Sequence, residues 1–314
     1  IASAVAAAAL STSAFAMDPA TDLAEMLESM PEFYGNIQLV HMNTEVDAGA
    51  GEVTAHEFAD NGSTIGIKHS HAISEGVEGF LKAEFEFGAD DKASSGGIDT
   101  LDEAYIGVKG DFGSVQVGSD DTVYEWVDML DSYEAVGLDG EIATLKEGDN
   151  LQYVSPEIAD GVVVGATVPF DSDSNFGGAL AAKYSADNLE VVFAYGLGRD
   201  DAGVKGEDTF GLAGSYSMDD ITLVAQYESQ TDTADLFGLQ GIYAMGANSF
   251  KLGYGMSTLD NATDTETTGI EFQALHNVSD NMYVYLEYLT TTTEDDVAAD
   301  VDADAFAIGA AYSF

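Results

Sequence analysis

From Phe33 to the last residue, apolar side chains recur at every second position, in sixteen short runs separated by polar connections. That period belongs to strands, whose successive side chains point to opposite faces. "FLKAEFEF" sets Leu81, Ala83, Phe85 and Phe87 on one face and Lys82, Glu84 and Glu86 on the other. "STIGIKHS" pairs Ile65 with Ile67 against Thr64, Gly66 and Lys68. Val162, Val164, Ala166 and Val168 make another run, as do Leu189, Val191, Phe193 and Tyr195. The chain ends "AFAIGAAYSF", with Phe306, Ile308, Ala310, Tyr312 and Phe314 alternating with Ala307, Gly309, Ala311 and Ser313.

The connections sort into two kinds. Short ones fall near 74–76, 110–113, 155–161, 185–188, 217–220, 246–249 and 278–281. Between them lie longer, acid-rich ones at 47–61, 88–99, 120–148, 171–178, 198–208, 229–235, 257–267 and 290–303. Seven short turns and eight long loops fit sixteen antiparallel strands with both termini on the short-turn side. A sandwich need not sort its connections this way, whereas a membrane barrel does. Strands of about ten residues suffice to span a bilayer with one apolar face. An open sheet edge in hydrocarbon would leave unpaired N–H and C=O groups, so the sheet must close. The sequence therefore predicts a 16-stranded antiparallel transmembrane β-barrel, closed between Phe33–Val46 and Asp304–Phe314. Aromatics near strand ends, among them Phe33, Phe87, Phe112, Tyr184, Tyr216, Tyr227, Tyr288 and Tyr312, suit interfacial girdles.

Charge narrows the function classes. There are 57 Asp plus Glu against 9 Lys plus Arg, a formal net charge of −48. Nucleic acid needs a basic footprint, which this chain lacks. A disordered acidic chain would lack aromatics, yet there are 16 Phe and 15 Tyr. There is no cysteine, hence no disulfide and no thiolate metal site.

Residues 1–16 read as the apolar core and end of a cleaved secretory signal, truncated at its front, with Ala14-Phe15-Ala16 as the small-x-small site. Residues 17–32 form a short segment in which Leu23, Met26, Leu27 and Met30 share a helical face. The barrel domain is 33–314.

These residues resemble the general bacterial porins of Gram-negative outer membranes. "FYGNIQLV" is similar to the family's first strand, and "LDEAYIGVKGDFGSVQVGSDDTVYE" to the strand–turn–strand before its third external loop. "LQYVSPEIADG", "MYVYLEY" and "AAYSF" resemble later strands. The resemblance implies a homotrimer in the outer membrane, against lipid and lipopolysaccharide, with short periplasmic turns and long external loops. It implies passive diffusion of small hydrophilic solutes and ions, no enzymatic activity and no cofactor. It implies that the third loop, 120–148, folds inward and supplies constriction acids, here drawn from Asp128, Asp131, Glu134, Asp139 and Glu141. Enteric members oppose that loop with a basic wall. The matching positions Asn36, Thr64 and Ser119 are neutral here, and Lys68 and Lys82 share their face with Glu84 and Glu86. A pore lined mainly by acids favours cations. The family's terminal Phe, here Phe314, is also read by the outer-membrane assembly machinery.

Other motifs carry less. "DSDSN" at 171–175 starts like a calcium loop, but Phe176 and Ala182 replace the required Gly and bidentate acid. The excess loop acid fits solvated, salt-screened loops with weak Ca2+ or Mg2+ binding. His69 and His71 share a face with outward Ile65 and Ile67, as an interfacial pair rather than a metal grip. The rival classes are a closed structural or adhesive barrel and a barrel enzyme. Five scattered histidines give the latter no catalytic constellation.

Overall fold

A computed structural model describes residues 30–49, 51–90, 97–98, 100–130, 133–138, 142, 145, 147–170, 177–198, 206–261 and 263–314. The signal stretch 1–16, most of the 21–30 helical stretch and the 171–176 motif lie outside them.

Strands appear wherever the sequence alternates. They are β1 (Glu32–Asp47), β2 (Glu52–Asp60), β3 (Thr64–Ser74), β4 (Val77–Glu86), β5 (Thr100–Gly110), β6 (Gly113–Ser119), β7 (Asn150–Val154), β8 (Val162–Pro169) and β9 (Gly178–Ala186). Then come β10 (Leu189–Leu197), β11 (Thr209–Met218), β12 (Ile221–Gln230), β13 (Ala234–Met245), β14 (Asn248–Leu259), β15 (Thr265–Ser279), β16 (Met282–Glu294) and β17 (Val301–Ser313).

Seventeen strands make sixteen staves. β2 and β3 lie end to end along β1, with Asp60 opposite Leu39 and Ile65 opposite Gly35. They are one stave interrupted at 61–63. Every other strand pairs antiparallel with its sequence neighbours, and β1 closes on β17 from Asn36↔Ser313 to Asp47↔Asp302. No edge remains along this seam, as hydrocarbon requires.

One expectation needs correction. The stretch 47–61 is largely not loop: β2 occupies 52–60 and hairpins with β1. Likewise β16 runs to Glu294, and β12 and β13 are joined by only 231–233. The reason is physical. Above the lipid band, stretches such as "TTTTE" and "TETTG" keep strand-forming Thr but lose apolar alternation. Apolar alternation marks the band in contact with lipid, not the end of the strand.

The outward face carries the apolar runs. Ile106, Leu180, Leu212, Leu252, Ile270 and Ile308 are all about half or more exposed. Tyr184, Tyr216, Tyr243 and Tyr312 are exposed near the short turns, and Tyr227, Tyr254 and Tyr288 towards the other rim. The tight turns use left-handed residues at Asp187, Asp219 and Gly246.

Candidate functional site

The inward face is small or polar along half of the barrel, because another part of the chain lies on it. After β6 the chain turns into the lumen. Thr122 caps a short 3₁₀ turn, Val123–Val127, in a capping box with Glu125. Val123, Tyr124 and Val127 have no exposed surface. They pack on Ala179, Ala181, Val192, Ala194 and Ala213 of β9–β11. Fully burying such side chains is worth about 1.5–3 kcal/mol each. The wall is small because the loop is close. A Cβ on Gly211 would sit 2.7 Å from Val127, and one on Gly255 would sit 2.7 Å from Leu138.

Wall side chains fasten the loop's backbone, which has no ladder of its own. Gln226 Oε1 accepts from Met129 N (2.8 Å) and Leu130 N (3.1 Å). Glu228 accepts from the Tyr124 hydroxyl (2.6 Å) and the Gln226 amide (2.9 Å). Glu271 accepts from Leu138 N at 2.8 Å. Glu287 accepts from three successive amides, Glu134 N (2.6 Å), Ala135 N (2.9 Å) and Val136 N (3.0 Å), and from Gln273 Nε2 (2.7 Å). A buried carboxylate without partners would be costly; here each one satisfies amides that would otherwise be orphaned. The loop therefore tracks the wall from β8 round to β16 and β1.

Among the described residues the basic side chains face this lumen. Of the chain's nine Lys and Arg, five lie in described residues: Lys68, Lys82, Lys109, Lys183 and Lys251. Each stands over an inward aromatic ring. Lys68 and Lys82 share Tyr34 at 5.2 and 5.9 Å, Lys109 covers Phe80, Lys183 covers Trp126 and Lys251 covers Tyr133. Carboxylates meet four of them as well. Lys68 pairs with Glu32 (3.1 Å), Lys82 with Glu103 (2.6 Å), Lys109 with Glu78 (3.1 Å) and Lys183 with Glu190 (3.9 Å).

Acid gathers where the loop leaves the wall. A register shift between Ala83 and Phe85 brings both Asp102 and Glu103 opposite Glu84. Carboxylate oxygens of these three come within 4.8 Å of one another. Lys82 already brings its ammonium to this group. At the loop root Asp120 takes a hydrogen bond from Gln116 Nε2 and feels Glu103, Asp121 and Lys82. Burial, with Glu103 and Asp121 adding to it, pushes Asp120 up to about 6. Burial also pushes Glu125 up to about 7, aided by Asp121 and Glu147 and opposed by the Thr122 amide. Burial and Asp121 raise Glu147 too. Lys82 thus meets Glu84 and Glu103 directly and acts on Asp120, while Asp121, Glu125 and Glu147 form a second acidic group at the loop root.

Of the residues named from sequence, Asn36 and Thr64 touch: Thr64 N donates to Asn36 Oδ1 at 2.8 Å. Lys68 lies opposite Lys82. Ser119 ends β6 opposite Ala104. Asp128 caps the 3₁₀ turn. Glu134 lies on the loop tip, its carboxylate accepting from Gln38 (2.9 Å) and Tyr283 (2.8 Å). Asp131, Asp139 and Glu141 lie outside the described residues. Sequence reasoning missed the wall acceptors Gln226, Glu228, Glu271 and Glu287. The available signal was a polar residue at mid-strand inward parity, as in "AQYESQ" and "GIEFQAL".

The profile of the Gram-negative porins matches residues 2–296. The chain belongs to the Gram-negative porin family. Two curated relatives are a monosaccharide porin of a Halomonas species and the major outer membrane protein of Halomonas elongata. Each is 29% identical over 90% of this chain and 91% of its own. Among solved structures, the anion-selective porin from Comamonas acidovorans matches with a TM-score of 0.74 at 15% identity, covering 91% of this chain and 99% of that one. Salmonella typhi OmpF, in complex with daunomycin, gives 0.71 at 18% identity, covering 92% and 99%. At these identities the likeness is one of fold. Family and fold point to an outer-membrane channel protein.

Proposed function

We propose that this porin is a water-filled, cation-preferring channel for passive diffusion of small hydrophilic solutes, working as a homotrimer. The observation that carries the preference is the neutralisation of the lumen's cations. Lys68, Lys82, Lys109 and Lys183 lie against carboxylates, and Lys82 meets Glu84 and Glu103 beside a loop root that also carries Asp120, Asp121, Glu125 and Glu147. Fixed charge of one sign around a narrow passage raises the local concentration of counter-ions. The trimer is supported by the family and by a solved trimeric relative of the same fold, OmpT of Vibrio cholerae, with a TM-score of 0.65. The name of the Halomonas monosaccharide porin supports sugars among the solutes, which an acid lining would not exclude.

Reconstitution in a planar bilayer under a salt gradient tests this reading. The expected reversal potential has the sign of cation permeability, with large open-channel steps. The opposite sign overturns the preference, and absence of conductance overturns the pore in favour of a closed barrel. Export through a cleaved signal ending at Ala16 is part of the same reading. The amino terminus of the mature outer-membrane protein checks it.

A further inference from the structure

We propose that the inward faces of β1, β4 and β5 carry a binding strip for neutral sugars, with the rings of Tyr34, Phe80 and Tyr105 as its platforms. The inference rests on the reading above that this barrel passes hydrophilic solutes, and it adds a site where one class of them is held. The three rings share strand parity with Lys68, Lys82 and Lys109, while Ile67, Leu81 and Ile106 take the outward face. Other inward aromatics serve the loop: Tyr283 donates to Glu134, and Tyr285 packs with Val136. Among the described residues, Tyr34, Phe80 and Tyr105 enter neither the loop's hydrogen bonds nor its packing clusters. All three stay only half-buried.

Two of the rings lie flat. Tyr34 stands directly opposite Gly66 and Phe80 directly opposite Gly107, and a Cβ on either glycine would run into the ring. One face of each ring is pressed on the wall, and the other is turned to the lumen. Phe80 continues to Tyr105 edge-to-face, with centroids 6.2 Å apart. The lumen faces are not capped. Lys68 and Lys82 bring their ammoniums to 5.2 and 5.9 Å from the Tyr34 centroid, and Lys109 to 5.9 Å from that of Phe80, beyond the roughly 3.5–4 Å of atomic contact.

Charge decides the ligand. Lys68 is paired with Glu32 (3.1 Å), Lys82 with Glu103 (2.6 Å) and Lys109 with Glu78 (3.1 Å). An anion finds none of these three free, and an organic cation meets ammoniums already stationed beside the rings. A neutral, ring-shaped polyol meets neither obstacle. The C–H bonds on one face of a pyranose are apolar and slightly positive, and they suit the negative face of an aromatic ring. Its rim of hydroxyls both donates and accepts, which is what a carboxylate beside an ammonium offers. Apolar platforms edged by a few polar groups are the usual make-up of small-molecule sites.

Glucose and sorbitol test this in proteoliposomes of the full-length porin. The two are similar in size and hydroxyl content, but sorbitol is an open chain without a rigid C–H face. Glucose uptake should saturate with concentration, whereas sorbitol uptake should rise linearly. Phe80→Leu and Tyr105→Leu keep apolar volume on the wall and remove the ring faces. Together they should raise the glucose concentration at half-saturation by about tenfold, the factor set by 1.4 kcal/mol. That concentration does not depend on how many channels each vesicle holds. Non-saturating glucose uptake through a conducting parent protein overturns the strip and leaves the pore reading intact. Absence of conductance and of uptake of either solute overturns the pore reading itself. Saturation that the double variant leaves unchanged overturns the rings as platforms. Where the double variant gives no heat-shifting barrel, Phe80→Leu decides alone, with an expected shift of about threefold.

Discussion

Gly35 and Phe314 exchange both backbone hydrogen bonds, Gly35 N to Phe314 O at 3.2 Å and Phe314 N to Gly35 O at 3.0 Å. The last residue thereby completes the seam between β1 and β17. The Phe314 ring also fills the place of a side chain on Gly35. A Cβ there would sit 3.0 Å from that ring and 2.5 Å from the Thr64 carbonyl. Deleting Phe314 removes the final pair, and Gly35→Val forces the seam apart. Both variants should yield several-fold less heat-shifting barrel in outer-membrane fractions. A normal yield from the deletion would refute both the closing role and the use of Phe314 as an assembly signal.

The barrel was legible because it obeys a period of two, but the alternation shows only where lipid is. Phe306, Ile308 and Tyr312 announce their face by being apolar. Thr291, Thr292 and Thr293 continue the neighbouring strand β16 without announcing it. The site was half legible. Loop acids stand out in a sequence, and 120–148 was the longest connection. The wall that receives the loop does not stand out. Glu271 and Glu287 look like ordinary lumen acids until the amides of Leu138 and of Glu134–Val136 arrive on them. Those contacts join positions over 130 residues apart. The break at 61–63 was hidden for the same reason: "DNGS" reads as the end of a loop. Only the shared pairing of β2 and β3 with β1 reveals one stave.

Asp102 and Glu84 should govern ion preference together with the loop root. Replacing two acids of the Glu84, Asp102, Glu103 group beside Lys82 removes fixed charge but leaves that cation in place. The double variant Glu84→Gln, Asp102→Asn should lower the cation-to-anion permeability ratio by roughly two- to fivefold at low salt. The effect should shrink as salt rises, because screening shortens the reach of the remaining charge. Reversal potentials at two ionic strengths measure both. An unchanged ratio at low salt would place the selectivity elsewhere in the lumen.

The same preference should depend on pH across an unusual window for carboxylates. Asp120 lies near 6 and Glu125 near 7, both raised by burial. Lowering pH from about 7.5 to about 5.5 protonates them, above the usual range of about 4. Two negative charges leave the loop root, so cation preference should fall over that interval. Stability moves the other way. The native state binds protons that the unfolded chain does not, between the unfolded values and 6–7. These two groups therefore favour folding more as pH drops through 7 towards 4. Glu125→Gln should flatten the upper part of the selectivity curve. A titration midpoint near 4 would contradict the assignment.

Tyr124→Phe isolates the loop's deepest anchor. The Tyr124 ring has no exposed surface and its hydroxyl donates to Glu228 at 2.6 Å. Phenylalanine keeps the ring's packing against the β9–β11 wall and removes only the donor. Glu228 retains Gln226 Nε2, so it is weakened rather than abandoned. Losing a hydrogen bond to a charged group costs about 1.5–3 kcal/mol. The barrel's strand ladder is untouched, so the cost falls on attachment of the loop. The variant should therefore form a normal barrel whose single-channel current is noisier, with frequent sub-levels, and whose thermal transition begins several degrees lower. Gly211→Leu attacks the same contact by volume, since its Cβ alone would sit 2.7 Å from Val127. It should give the stronger phenotype of the two. If both variants conduct as quietly as the parent protein, the wall contact at Tyr124 does not hold the loop in place.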